Sequence, residues 1–123
     1  MMTARDVSYE KAYTLALRIV RLCRLLREEK REYVLSRQLL RSGTSIGANL
    51  AEAHASISPA DLSSKVSIAF KECKETKYWV SLLRDSGYLE YQDAQVVLDE
   101  LDELARILFS IIRTLRIRKH SKD

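Results

Sequence analysis

Apolar residues recur along this chain in steps of three and four, the spacing that lines one face of an α-helix. Ala12, Leu15, Ala16, Ile19, Leu22, Cys23 and Leu26 make a first stripe, and Leu39, Gly43, Ile46, Leu50, Ala53 and Ile57 a second. Leu62, Val66, Ala69, Cys73, Thr76, Val80 and Leu83 form a near-heptad seam. A fourth stripe joins Ala94, Val97, Leu98, Leu101, Leu104, Ala105, Leu108, Ile112 and Leu115. The four stripes predict helices over about 6–29, 36–56, 59–86 and 92–116, followed by a frayed, mobile tail over about 117–123. Four helices joined by short connections predict an all-α, antiparallel up-down-up-down four-helix bundle spanning residues 1–123 as one domain.

Punctuation residues agree with this division. Ser36 is the expected N-cap of the second helix, and Val34-Leu35 an apolar pair tucked under the bundle. Ser58-Pro59-Ala60-Asp61 combines a capping serine, a proline suited to the first helical position and a carboxylate for a capping box. Gly87 supplies a left-handed stop to the third helix.

The second helix carries two residues that oppose it. A glycine in a helix interior costs about 1 kcal/mol relative to alanine, yet Gly43, Gly47 and Ala51 fall at i, i+4 and i+8, forming a ridge almost without side chains. Such a ridge lets a neighbouring helix approach closely. On the side away from the apolar stripe, Arg41, Ser45, Asn49 and Glu52 form a polar row. That row fits a hydrogen-bond network to helix ends or a neighbouring subunit, a nucleic-acid contact, or no special role.

The same stretch matches the pattern R-x-x-x-S-I-x-x-N-[IL]-A-E through Arg41, Ser45-Ile46, Asn49, Leu50 and Ala51-Glu52. In this it resembles the four-helix-bundle family of proteins encoded in intervening sequences of 23S ribosomal RNA genes. The resemblance runs from Asp6 to Leu115 and includes the Gly87-Tyr88-Leu89 turn. It implies a bundle that assembles as a pentamer and transfers little chemistry.

Apolar residues also lie off the stripes. Tyr13, Leu17 and Val20 in the first helix, and Ile68, Tyr78, Trp79 and Leu82 in the third, point away from the predicted core. Apolar positions over so much of a helix's girth predict contact with further copies of the chain, with Tyr13, Leu17, Val20, Ile68, Trp79 and Leu82 as the expected interface.

Charge sharpens the second functional reading. The chain has a formal charge of +4, but it is zoned: residues 90–112 hold six carboxylates and one arginine, while 113–123 hold five basic side chains and one aspartate. Arg18, Arg21, Arg24 and Arg27 form a basic outer surface on the first helix, joined in this reading by Arg113, Arg116, Arg118 and Lys119. RNA or DNA is the partner such a surface would take. The related accessory proteins of diversity-generating retroelements, which look like basic pentameric bundles, point the same way. The acidic face of the fourth helix opposes it, offering carboxylates that pair with the first helix's arginines across a subunit boundary.

Catalytic patterns are missing. Inward Glu-x-x-His pairs for a di-metal site, a nucleophile elbow, a phosphate-cradling glycine loop and a dinucleotide fingerprint are all absent. Neither His54 nor His120 has ligand-bearing neighbours at metal spacing, so no cofactor, metal or small-molecule substrate is expected. Cys23 and Cys73 sit on apolar stripes as small core residues, and with no signal-like or membrane-spanning run they predict a cytoplasmic protein. The sequence thus predicts a non-enzymatic homo-oligomeric scaffold or adaptor, with a nucleic-acid-binding accessory protein as the alternative.

Overall fold

The computed structural model describes residues 1–122, with side chains described as far as Lys119. Its four helices are α1 (Ala4–Glu28), α2 (Val34–His54), α3 (Pro59–Asp85) and α4 (Tyr91–Lys122). Each packs on its neighbours in sequence, and α1 also packs on α4, so α1 and α3 stand at diagonal corners. Contacts run in opposite directions along each neighbouring pair. Gly43 and Gly47 face Ile19 and Ala12, Glu52 and Arg41 meet Lys65 and Glu75, and Lys77 and Phe70 meet Asp102 and Phe109.

Local chemistry sets the helix ends, in places differently from the sequence reading. Helix α1 starts at Ala4 because Thr3 and Asp6 form a reciprocal capping box: Asp6 N–H donates to Thr3 Oγ1 at 3.2 Å, and Thr3 N–H to Asp6 Oδ2 at 3.0 Å. Those Thr3 hydrogen bonds hold the Asp6 carboxyl below its usual pKa. Ser36 does not cap α2. It lies buried within the helix, its hydroxyl donating to the Glu32 carbonyl at 2.7 Å. The capping falls to the longer Glu32 side chain, which accepts from the N–H groups of Val34, Leu35 and Ser36 at 3.3, 3.0 and 2.8 Å. A carboxylate there meets both the orphan donors and the positive end of the helix.

Ser58 caps α3 by accepting from Asp61 N–H at 3.0 Å, with Pro59 in the first turn. Asp61 reaches back to Ile57 N–H at 3.4 Å, so the box is shifted by one residue from the expected Ser58 pairing. Gly87 adopts φ 87°, and the Tyr88 and Leu89 N–H groups then both return to the Leu83 carbonyl, at 2.9 and 3.2 Å. The end of α4 differs from the sequence reading, which closed the helix near residue 116. Helix α4 continues past it to Lys122, since no glycine or proline interrupts residues 113–122; Asp123 lies outside the described residues.

The core is the sum of the four stripes, with Leu15, Ile19, Leu26, Leu39, Ile46, Val66, Val80, Leu83, Val97, Leu101, Leu104 and Leu108 fully buried. Ile57, placed on the second stripe by its spacing, is 94% exposed because α2 ends at His54. Val34 is also exposed, and only Leu35 of that pair packs on the core. The small-residue ridge is real over half its length. A Cβ at Gly43 would stand 2.8 Å from Ile19 Cγ2 and 3.0 Å from Cγ1, so α1 lies where an alanine would already collide. At Gly47 the nearest atom, Ala12 Cβ, would be 3.7 Å away. Ala51 is exposed, because an i, i+4, i+8 row turns about 40° per step and has left the α1 side by its third member.

The two glycines therefore have opposite responses. Gly43→Ala lowers stability by about 1–3 kcal/mol, through strain against a β-branched side chain packed in the core. Gly47→Ala raises it by up to about 1 kcal/mol, because the methyl fits and the helix gains propensity. Thermal melts of the two variants check both signs.

Candidate functional site

The polar row of α2 lies along α3. Arg41 bridges two α3 carboxylates, pairing directly with Glu75 and lying 3.6 Å from Glu72 Oε2. Eleven residues on, Glu52 pairs with Lys65 at 3.0 Å. Between them Asn49 Nδ2 donates to the Ser45 carbonyl at 2.9 Å and contacts Ser45 Oγ at 3.1 Å. Beneath this partly exposed row, the hydroxyls of Ser42 and Thr76 hydrogen-bond to each other at 3.0 Å, both fully buried. Exposed ion pairs contribute only about 0–1 kcal/mol each, so the arrangement fixes the register of α2 on α3 more than it stabilises the fold. It contains no nucleophile paired with a base.

The basic residues do not form one surface. Arg18 is taken up by Glu100 at 2.7 Å, and Lys11 by Glu103 at 2.6 Å, so α4's acidic face neutralises the middle of α1 within one chain. Part of the complementarity expected across a subunit boundary is thus satisfied internally. Arg21, Arg24 and Arg27 remain exposed and without an ion pair among the described residues. Arg113, Arg116, Arg118 and Lys119 are exposed on the last turns of α4. The antiparallel course puts these at the end where α1 begins, about 30 Å from α1's last turn at 1.5 Å per residue.

The expected interface residues divide too. Tyr13 and Leu17 are 58% and 44% exposed on α1, and Ile68 and Leu82 each 37% exposed on α3. Val20 is half-buried, so it is at most an edge of the patch. Trp79 is only partly exposed: it packs against the core, edge-on to Tyr78 with ring centres 5.0 Å apart, and its indole nitrogen is buried without a hydrogen-bond partner among the described residues. Sequence reasoning missed Val96 and Phe109, both 46% exposed on α4. Their signal was two apolar residues off a stripe in an otherwise acidic helix.

A family model of 23S rRNA-intervening sequence proteins matches residues 6–110. The chain belongs to this family. Among solved structures it is similar to a protein of unknown function of the S23 ribosomal protein family from Bacteroides thetaiotaomicron. That protein shares 40% identity and a TM-score of 0.88, over 90% of this chain and 99% of that one. Among curated proteins no match is found. Neither comparison indicates an enzyme family.

Within the 23S rRNA-intervening sequence family match lie the polar row, the exposed patches of α1 and α3, and Arg21, Arg24 and Arg27; the basic end of α4 lies beyond it. Of the motif residues, Arg41 and Glu52 pair across the seam between α2 and α3, while Asn49 bonds back to Ser45 within α2. Among the described residues no cluster of histidine, cysteine and carboxylate is arranged to hold a metal ion. His54 meets Tyr9 edge-on with ring centres 5.5 Å apart, and the side chain of His120 lies outside the described residues. Among the described residues no helix is long and apolar enough to cross a membrane.

Both cysteines are free and buried. Burial pushes the Cys23 thiol up to about 11 and the Cys73 thiol up to about 12. Neither forms appreciable thiolate near neutral pH. In the native protein both therefore resist a thiol reagent at mildly alkaline pH and react fully only after denaturation; rapid native labelling of either would show that the core opens there. At the α2–α3 seam, Thr76→Val costs about 1 kcal/mol by removing the bond between the two hydroxyls, leaving Ser42 only its 3.4 Å bond to the Leu39 carbonyl. Adding Ser42→Ala to that variant costs less than Ser42→Ala alone, as measured by chemical denaturation.

Proposed function

We propose that this protein is a non-catalytic homo-oligomeric scaffold, built from bundles joined head to tail through the outer faces of α1 and α3. The observation that carries the reading is their placement. Tyr13 and Leu17 on one side, and Ile68 and Leu82 on the other, occupy helices at diagonal corners of the bundle. Two distinct apolar patches on opposite sides suit a heterologous contact, which closes into a ring when the rotation between copies allows. The family resemblance supplies the number, a pentamer. Two reduced, buried cysteines favour the cytoplasm as its compartment.

Light scattering on the purified protein gives the mass of five 14.2 kDa chains on this reading. A monomeric mass at micromolar concentration overturns it. Charged substitutions then test the head-to-tail geometry. Leu17→Glu and Leu82→Glu are each expected to open the ring, and mixing the two variants gives a one-to-one dimer through the intact patch of each. If both variants keep the native mass, the interface lies elsewhere.

A second reading, nucleic-acid binding, is favoured by one observation: Arg21, Arg24 and Arg27 stay exposed and, among the described residues, without ion pairs, although carboxylates are abundant on α4. Repetition of this surface around an oligomer would convert weak phosphate contacts into avidity. The partner on this reading is RNA or DNA, and the binding is salt-dependent.

A further inference from the structure

The last turns of α1, the α1–α2 loop and the first turns of α2 line an open groove of about 630 Å³. That volume falls in the range of ligand pockets, roughly 300–1,000 Å³. Three guanidinium groups line it, those of Arg24, Arg27 and Arg31, against the single carboxylate of Glu28. None of the three arginines has an ion pair among the described residues. The floor is apolar, made by Val20, Leu40 and the buried Cys23, and the Tyr33 ring stands at the rim, half exposed.

Arg31 adds a backbone observation. It is the one non-glycine residue with positive φ among the described residues, at 54°. A glycine would hold this left-handed turn at lower conformational cost, yet the position carries a long cation that lines the groove. Strained backbone of this kind tends to sit at binding and switch positions.

We propose that this groove binds single-stranded nucleic acid, taking one unstacked base against Tyr33 and the apolar floor and its flanking phosphates on Arg24, Arg27 and Arg31. The inference rests on the nucleic-acid reading above and assigns it a place. The arginines alone would accept any anion. The aromatic rim and apolar floor select a ligand that joins a phosphate to a flat ring, since stacking on an aromatic side chain is tolerant of base identity. A duplex keeps its bases stacked and its edges paired, so this open groove can take a base only from a single strand. The basic end of α4 lies at the opposite end of the bundle and takes no part.

The experiment is fluorescence anisotropy of a labelled ten-nucleotide oligouridylate with the full chain, at low and physiological salt. The variants are Arg31→Gly, Tyr33→Leu and, as a control at the far end, Arg113→Glu with Arg116→Glu. Arg31→Gly suits the positive φ, so the loop keeps its shape while losing the charge; circular dichroism confirms that each variant is folded. The proposal expects Arg31→Gly to weaken binding and to shallow the salt dependence by about 0.7 in the log–log slope. It expects Tyr33→Leu to weaken binding roughly five-fold or more with the slope unchanged, and the far-end variant to bind as the native protein does. Uridine monophosphate competes for the site, and inorganic phosphate at the same concentration does not. If the far-end variant loses binding while both groove variants keep it, the protein binds nucleic acid but this groove is not the site. Equal competition by phosphate overturns the base-binding part of the proposal. No binding by the native protein at low salt removes the groove and the nucleic-acid reading together.

Discussion

Helix α2 meets α1 with no side chain of its own at Gly43, the point of tightest approach. At Gly43 the Ile19 side chain fills the space a Cβ would occupy, and much of the bundle follows from that approach. It sets α2 deep against α1, which brings the Cys23 thiol to within 3.3 Å of the Ser36 carbonyl, to which it donates. It also fixes the rotation of α2 about its own axis. With one side committed to α1, the row from Arg41 to Glu52 turns toward α3, where Glu72, Glu75 and Lys65 wait for it. Packing and polar register are thus two sides of one helix.

The same logic distributes charge. Helix α4 closes the ring against α1 through Lys11–Glu103 and Arg18–Glu100, and the paired lysine helps hold the Glu103 carboxyl below its usual pKa. Those pairs silence the middle of α1. Apart from Arg5, what remains basic on α1 lies toward its C-terminal end, beside a loop in which one of the two carboxylates, Glu32, is spent capping α2. A groove with three arginines to one carboxylate results from where the acidic partners go as much as from where the arginines are. The apolar residues follow the packing: α1 and α3 pack on both of their neighbours but not on each other, and their outer sides expose Tyr13 and Leu17, and Ile68 and Leu82.

The helix bodies were legible in the sequence because burial imposes a period, and a period survives without knowledge of partners. Their ends were less so. A serine before an apolar stripe resembles a cap, but Glu32, four residues earlier, reaches three N–H groups and leaves Ser36 to be buried. The residues after Arg116 lack an apolar repeat, yet nothing in them breaks a helix, and α4 runs on. For the site, the sequence showed that Arg41, Ser45, Asn49 and Glu52 share a face but not which neighbour they meet. Trp79 lies off the α3 seam, yet part of its ring packs on the core, which its spacing did not show. The groove was invisible, since it depends on the left-handed turn at Arg31, which no residue preference announces.

The central claim is that direct contact between Gly43 and Ile19 sets the packing of α2. A double-mutant cycle on Gly43→Ala and Ile19→Ala, followed by chemical denaturation, tests it most directly. Each change alone destabilises, the first by collision and the second by leaving a cavity, typically about 2–5 kcal/mol for such a truncation. Together they relieve one another, because the added methyl enters the space the isoleucine vacates. The account predicts a double variant more stable than the sum of the two losses by about 1 kcal/mol or more. Additive losses would contradict it, showing that α2 is positioned by something other than this contact.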